Sequence, residues 1–216
     1  MKNFIIFYYQ IIPSLLRQRD KDYYFSSNNH YYLLTIYNRN NEESDSLYYL
    51  SELVRKQNNK YHKIILNKDH QVISYINKLP YVLLEIFYQE TNNKSMNRIL
   101  NEMITLQNDS HFQKLYRLNW KQLWEVKIDY FEYQISLFDK KYSLLAQSLP
   151  YFIGLAENAI AYFDAIKNFP KSYNDSLSVC HKRLVLSDTR EVYNPLNLVI
   201  DHKSREIGEY LKQVFI

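Results

Sequence analysis

The 216-residue chain reads as an α+β protein of two lobes, a small antiparallel-sheet lobe followed by a mainly helical one. Up to about residue 90 the apolar residues come in short branched and aromatic runs bounded by polar turns, which is the pattern of half-buried strands. Beyond residue 95 they recur every three or four residues over long windows, the pattern of one helical face. With 46% hydrophobic and 23% charged residues, the chain has core enough for one sizeable domain or two small lobes.

The opening run, "MKNFIIFYYQIIP", is interrupted by Gln10 and Pro13 and is too short to span a bilayer. No small-residue cleavage site follows it, so a buried first strand or helix is expected, with no membrane partner. "YYLLTIY" (31–37) is strand-like, and Ser44 is expected to cap an amphipathic helix through Leu47, Leu50, Leu53 and Val54. "HKIIL" (62–66), "QVISYI" (71–76) and "YVLLEIF" (81–87), joined by short polar turns, predict an antiparallel meander. The polar stretch "YQETNNK" (88–94) is the expected hinge, dividing an N-lobe of residues 1–90 from a C-lobe of residues 91–216.

In the second lobe Ser95 is expected to cap a helix carrying Met96 to Ile104, and a longer helix starts at Asn119 and keeps one apolar face from Trp120 to Leu145. Pro150 opens the next helix. Gly154 inside it costs about 1 kcal/mol against Ala, so a close helix contact is expected there. Two apolar runs, "LSVC" (177–180) and "LNLVI" (196–200), flank the polar insert "SDTREVYNP", and a last helix runs from about Lys203 to Phe215.

Composition excludes several functions. Only Gly154 and Gly208 are glycine, where average usage of about 7% predicts about fifteen, so a glycine-rich phosphate loop is absent. The net charge of +4 is mild and the basic residues are scattered among acids, which gives no support to nucleic-acid binding. Cys180 is alone, so there is no internal disulfide and no thiolate metal site, and a reducing compartment fits. The 22 tyrosines follow the same bias as the abundant Asn, Lys and Ile, as an AT-rich genome produces. His30, His62, His70 and His111 show no ligand spacing.

Strand, helix, three strands, hinge, helices, a small strand pair and a helix is the order of a bilobal kinase-like domain, and its chemical parts can be sought one by one. The phosphate-holding lysine of the strand falls near Thr35, and Glu43 or Glu52 takes the place of its helix partner or is a surface acid at a helix start. "CHKRL" (180–184) sits where a catalytic loop is expected. The pattern His-Gly-Asp would put its aspartate at Arg183, and a guanidinium cannot take a proton from a substrate hydroxyl. The second metal-binding position of the loop falls at Asp188. Asp201, at the end of an apolar strand, is either a remaining metal ligand or a carboxylate that caps the next helix and pairs with Arg205. His181 is expected as a buried strut of the loop, and its strand neighbour Cys180 points to the opposite face, which speaks against a thiol nucleophile.

With "YFIGLAENAIAYF" (151–163), "CHKRL" and "LNLVIDHKSREIGEYLKQ" (196–213) in view, the chain resembles the spore-coat-associated kinase-like proteins of the YutH type, relatives of the aminoglycoside and choline phosphotransferases. The resemblance implies an aminoglycoside phosphotransferase-like fold, a coat role, other spore coat proteins as partners, and a place in the mother-cell cytoplasm and then the spore coat. It also implies a further helical subdomain, so the chain is expected to be a fragment or a shortened member with an incomplete C-lobe. Self-association through Ile207, Leu211, Val214 and Phe215 is the expected consequence. The leading reading is a pseudokinase that works by binding and uses no cofactor. The alternative is an atypical small-molecule phosphotransferase, using Mg-ATP with Asp201 and Asp188 as metal ligands, and the third is a generic interaction domain.

Overall fold

A computed structural model describes residues 1–87, 104–106, 109–117, 119–138, 142–167 and 177–214. In chain order the elements are α1 (Lys2–Tyr9), β1 (Arg17–Arg19), β2 (Asp22–Ser27), β3 (His30–Ile36), α2 (Ser44–Gln57), β4 (Lys63–Ile65), β5 (Ser74–Ile76), β6 (Leu79–Ile86), α3 (Trp120–Phe138), α4 (Ser143–Lys167), β7 (Leu177–His181), β8 (Leu198–His202) and α5 (Lys203–Val214). They form two compact units, Met1–Tyr116 with Leu177–Ile216, and Arg117–Ser176. This division is not the expected one at 90/91, because β7, β8 and α5 group with the N-terminal sheet. The hinge at 88–94 and the helix from Ser95 lie outside the described residues, Ile104 excepted.

In the first unit the opening apolar run is helical, and it ends at Gln10 in the left-handed region (φ 56). α1 lays Ile5 and Tyr9 on one face of the sheet, against Phe25, Leu34, Tyr81 and Leu83. The sheet runs in the order β1-β2-β3-β6-β4, with β5 also paired to β6. The expected meander of residues 62–87 is therefore not formed. β6 is eight residues long, and it pairs on one edge with β3 and on the other with β5 near Leu79–Tyr81 and β4 near Leu83–Glu85. Asn67 closes the loop between β4 and β5, donating from its amide to the Ser74 hydroxyl (3.0 Å) and accepting from the Asp69 and Gln71 N–H groups (2.9 Å each).

Two-residue turns join β2 to β3 and β5 to β6, with both residues left-handed: Asn28 and Asn29 (φ 49 and 65), Asn77 and Lys78 (φ 49 and 69). Such turns match the sheet twist, and asparagine tolerates the conformation that glycine usually supplies. α2 buries Leu47, Leu50 and Val54 completely beside β4, each contributing about 2 kcal/mol of apolar burial. Its cap is not Ser44. Asn40, one turn earlier, accepts the Glu42 N–H (3.2 Å) and starts a 3-10 turn, Asn41–Glu43, that runs into the helix.

β7 and β8 form an antiparallel pair, joined on the β7 side by the Thr105↔Ser178 bridge and on the β8 side by the Tyr116↔Ile200 bridge. On α5, Ile207, Leu211 and Val214 are 37%, 43% and 55% exposed, and Phe215 lies outside the described residues.

In the second unit α3 and α4 run antiparallel, with Trp124 edge-on to Phe163 (5.2 Å between centroids) and Lys121 bonded to Asp164 (2.8 Å). Pro150 does not start a helix but lies inside α4. Gly154 does not mark a close contact, since a Cβ there would meet nothing within 4 Å. Among the described residues no helix is long and apolar enough to cross a membrane.

Candidate functional site

β7 is buried at all five positions, and its pairing runs from Leu177↔His202 to His181↔Leu198. Alternation along the strand sends Cys180 and His181 to opposite faces. The Cys180 sulfur lies 3.4 Å from the Ser178 hydroxyl and 3.7 Å from the His202 carbonyl, and burial pushes its thiol up to about 12. It stays a thiol at neutral pH and is no nucleophile.

His181 is buried between two acceptors: Nδ1 lies 2.5 Å from Glu206 Oε1, and Nε2 lies 2.7 Å from the Val192 carbonyl. Both nitrogens can donate only in the imidazolium form. Glu206 takes the His181 backbone N–H as well (2.9 Å). Burial alone would raise the Glu206 carboxyl, but the His181 charge, the bonds from His181 and the nearby Arg205 bring it below its usual range. Arg205 donates to the carbonyls of His181 (2.9 Å) and Lys182 (2.7 Å), and it lies 3.4 Å from Asp201 Oδ2. The first turn of α5 thus clamps the end of β7.

Asp201 is fully buried, and its Oδ1 accepts the His202 N–H (2.8 Å) while Oδ2 faces Arg205. Arg183 sits on the exposed loop after β7, its N–H donating to Asn197 Oδ1 (3.0 Å) and its carbonyl accepting from the Asn197 amide. Only its backbone is pinned by these bonds. Asp188 accepts the Arg190 N–H (2.9 Å) and both ends of the Arg190 guanidinium (3.0 and 2.8 Å) at the head of the one-turn helix Thr189–Val192. The Arg190 side-chain bonds hold the Asp188 carboxyl below its usual range. Each of the two expected metal ligands is therefore engaged by an arginine. Among the described residues no group of three His, Cys, Asp or Glu is placed to hold a metal.

On the sheet side, Thr35 donates its hydroxyl to Asp22 Oδ1 (2.7 Å). Glu52 is half-buried with Arg55 at 3.4 Å, but Glu43 is no surface acid. Arg39 Nε donates to it at 2.7 Å, and Arg39 Nη1 donates to the carbonyls of Leu196 (3.1 Å) and Leu198 (2.6 Å), which ties the head of α2 to the start of β8. On the sheet face that carries Thr35, a cavity of about 690 Å³ opens among Leu15, Arg17, Tyr24, Tyr31, Ile86 and Arg190.

The residues missed in the sequence are Arg39, Asn197 and Glu206. Arg39 and Glu43 stand four apart, as Asp201 and Arg205 do, a spacing that marks ion pairs on successive turns. Asn197 and Glu206 carry no such local signal.

A family model described as "Spore coat putative kinase YutH" matches residues 2–216. The chain is similar to the endospore coat-associated protein YutH of Bacillus subtilis (strain 168), at 34% identity over 110 residues, 45% of this chain and 32% of that protein. The match thus spans about a third of that relative's length. Among solved structures it resembles spectinomycin phosphotransferase APH(9)-Ia in complex with ADP and spectinomycin (TM-score 0.60, 11% identity, 95% of this chain and 70% of that one). It also resembles an aminoglycoside phosphotransferase from Alicyclobacillus acidocaldarius (TM-score 0.64, 10% identity, 93% and 67%). These likenesses establish the kinase-like fold of the aminoglycoside phosphotransferases.

Proposed function

We propose a binding role without phosphoryl transfer for this chain, which belongs to the spore coat YutH family. The observation that carries the reading is that the carboxylates at the expected transfer site are each held by an arginine of the same chain: Glu43 by Arg39, Asp188 by Arg190, Asp201 by Arg205. In a working kinase-like site such carboxylates orient a lysine and hold metal ions that neutralise the phosphates. Here the positive charge is already supplied from within. A cation would have to displace a guanidinium from Asp201 in a fully buried position, so this donor set does not fit magnesium.

The remaining parts agree. Thr35, near the position expected for the amine, bonds to Asp22, and Arg183 stands at the position expected for the base. Losing a general base alone costs about 10²- to 10⁴-fold. The work left to the chain is association with other coat components, first in the mother-cell cytoplasm and then in the coat. Incubation of the purified chain with labelled Mg-ATP and candidate small-molecule acceptors is expected to give no transfer above the buffer rate. Transfer that Asp201→Ala abolishes would establish the alternative, a phosphotransferase using Asp201 and Asp188, which the kinase-like fold favours. A fluorescent fusion is expected to collect at the coat layer of the developing spore, and uniform cytoplasmic fluorescence through spore maturation would sink the coat role.

A further inference from the structure

We infer that the cavity beside Tyr24 binds a small planar aromatic anion bearing a single carboxylate, in preference to a nucleotide. Cavities of this size, mostly apolar with a few convergent polar groups, are the usual form of a small-molecule site, and this one measures about 690 Å³. Its floor is the sheet, where Tyr24 pairs across strands with Arg17 and Tyr31 pairs with Ile86. Tyrosine rings on the sheet favour a flat partner that stacks or packs edge-on. Arg190 adds a second flat surface. Asp188 takes two edges of its guanidinium, at 3.0 and 2.8 Å, and so fixes the plane of a group that stacks well on aromatic rings.

Charge selects the anion. Among the described residues no Asp or Glu lines the cavity, whereas two arginines, Arg17 and Arg190, do. Asp188 already neutralises Arg190, so Arg17 is the cation left to meet a ligand carboxylate, and a single negative charge matches it. A polyphosphate meets the opposite conditions. The turn between β1 and β2 is only Asp20–Lys21, with no glycine to let the backbone approach a phosphate, and the Asp22 carboxylate that follows is bonded to Thr35. The cavity keeps an aromatic slot and one cation, and it lacks a phosphate cradle.

The inference rests on the non-catalytic reading in one respect, the absence of that cradle, and the two fail separately: Mg-ATP turnover overturns the first, and the titration below overturns only the second. The test is a titration of the full chain with 2-naphthoate, 2-naphthamide and ADP with and without magnesium, followed by ligand-observed NMR. 2-Naphthoate is expected to bind saturably with a Kd of about 1 mM or below, as suits a fragment of its size. The uncharged amide is expected to bind at least about tenfold more weakly, a loss of one charge-assisted bond. Arg17→Gln, on an exposed edge strand, should weaken the carboxylate about tenfold and leave the amide unchanged, and Tyr24→Leu should weaken both. Equal binding of carboxylate and amide, indifference to Arg17→Gln, or ADP binding more tightly than 2-naphthoate would each overturn the proposal.

Discussion

His62 stands just before β4 with 2% of its surface exposed, and burial holds its imidazole down to about 4 against a usual 6.5. The folded chain therefore keeps the ring neutral between those values while the unfolded chain protonates it. The stability this site contributes is fully present above pH 6.5 and is lost as the pH falls toward 4. Between pH 7 and pH 5 the loss amounts to about 2 kcal/mol. Urea unfolding at the two pH values should register it, and His62→Gln should flatten the difference. An unchanged pH slope in that variant would remove His62 from the account. Asp188 and Glu206 act in another window: their carboxyls are depressed in the fold, so their contribution is present above the usual 3.8 and 4.5 and is lost only as the pH falls further. Stability should thus be lost over two pH windows, the histidine's first.

At the scale of elements, turns and helices offer the clearest handles. Lys78 occupies a left-handed position (φ 69) behind Asn77, where its Cβ costs about 1 kcal/mol that glycine avoids. Lys78→Gly should stabilise the chain by about that amount, and destabilisation would show that the lysine side chain has a compensating contact. Gly154→Ala should add about 1 kcal/mol to α4, since nothing lies within 4 Å of the new methyl, and thermal denaturation reads the gain directly. The same elements show what was legible in the sequence. β3 and β6 followed from their branched and aromatic runs and α2 and α5 from apolar residues at helical spacing, signals that lie within each segment. β1 was missed, as "RQR" carries charges on an exposed edge, and β2 with it, as "DYYFSS" offers no clean apolar alternation. Pro150 misled because helix-start chemistry is a local preference, while α4 is held by its packing on α3. In the site, the Asp201 and Arg205 spacing was readable, whereas His181 meets Glu206 from 25 residues away, a contact that only the turn of α5 onto β7 creates.

The Arg39 and Glu43 pair sets the scale of the whole first unit, since its bonds reach Leu196 and Leu198, 157 and 159 residues along the chain. Both side chains are nearly buried, at 4% and 11% exposure, so the pair is taken out of water and its worth depends on every bond being made. The Glu43 carboxylate at the head of α2 and two carbonyls around the start of β8 meet at one guanidinium. Arg39→Ala removes the guanidinium from a buried carboxylate and from two carbonyls together, and should cost about 3 kcal/mol. Arg39→Lys should recover little, because an ammonium cannot repeat the fork that meets Glu43 and the carbonyls at once. Arg39→Ala with Glu43→Gln should recover part of the loss by removing the buried negative charge. Amide hydrogen exchange distinguishes a lock from a tether. If the pair locks the unit, Arg39→Ala lowers the protection of Leu33, Leu34 and Leu83 in the sheet and of Val179 and Ile200 in the β7–β8 pair alike, by roughly a hundredfold. Faster exchange confined to β7 and β8, with the sheet unchanged, would mean that the two parts open independently and that Arg39 only holds one against the other. The first outcome fits a chain that binds as one rigid surface. The second keeps open the relative motion that a phosphotransferase uses to close on its substrate.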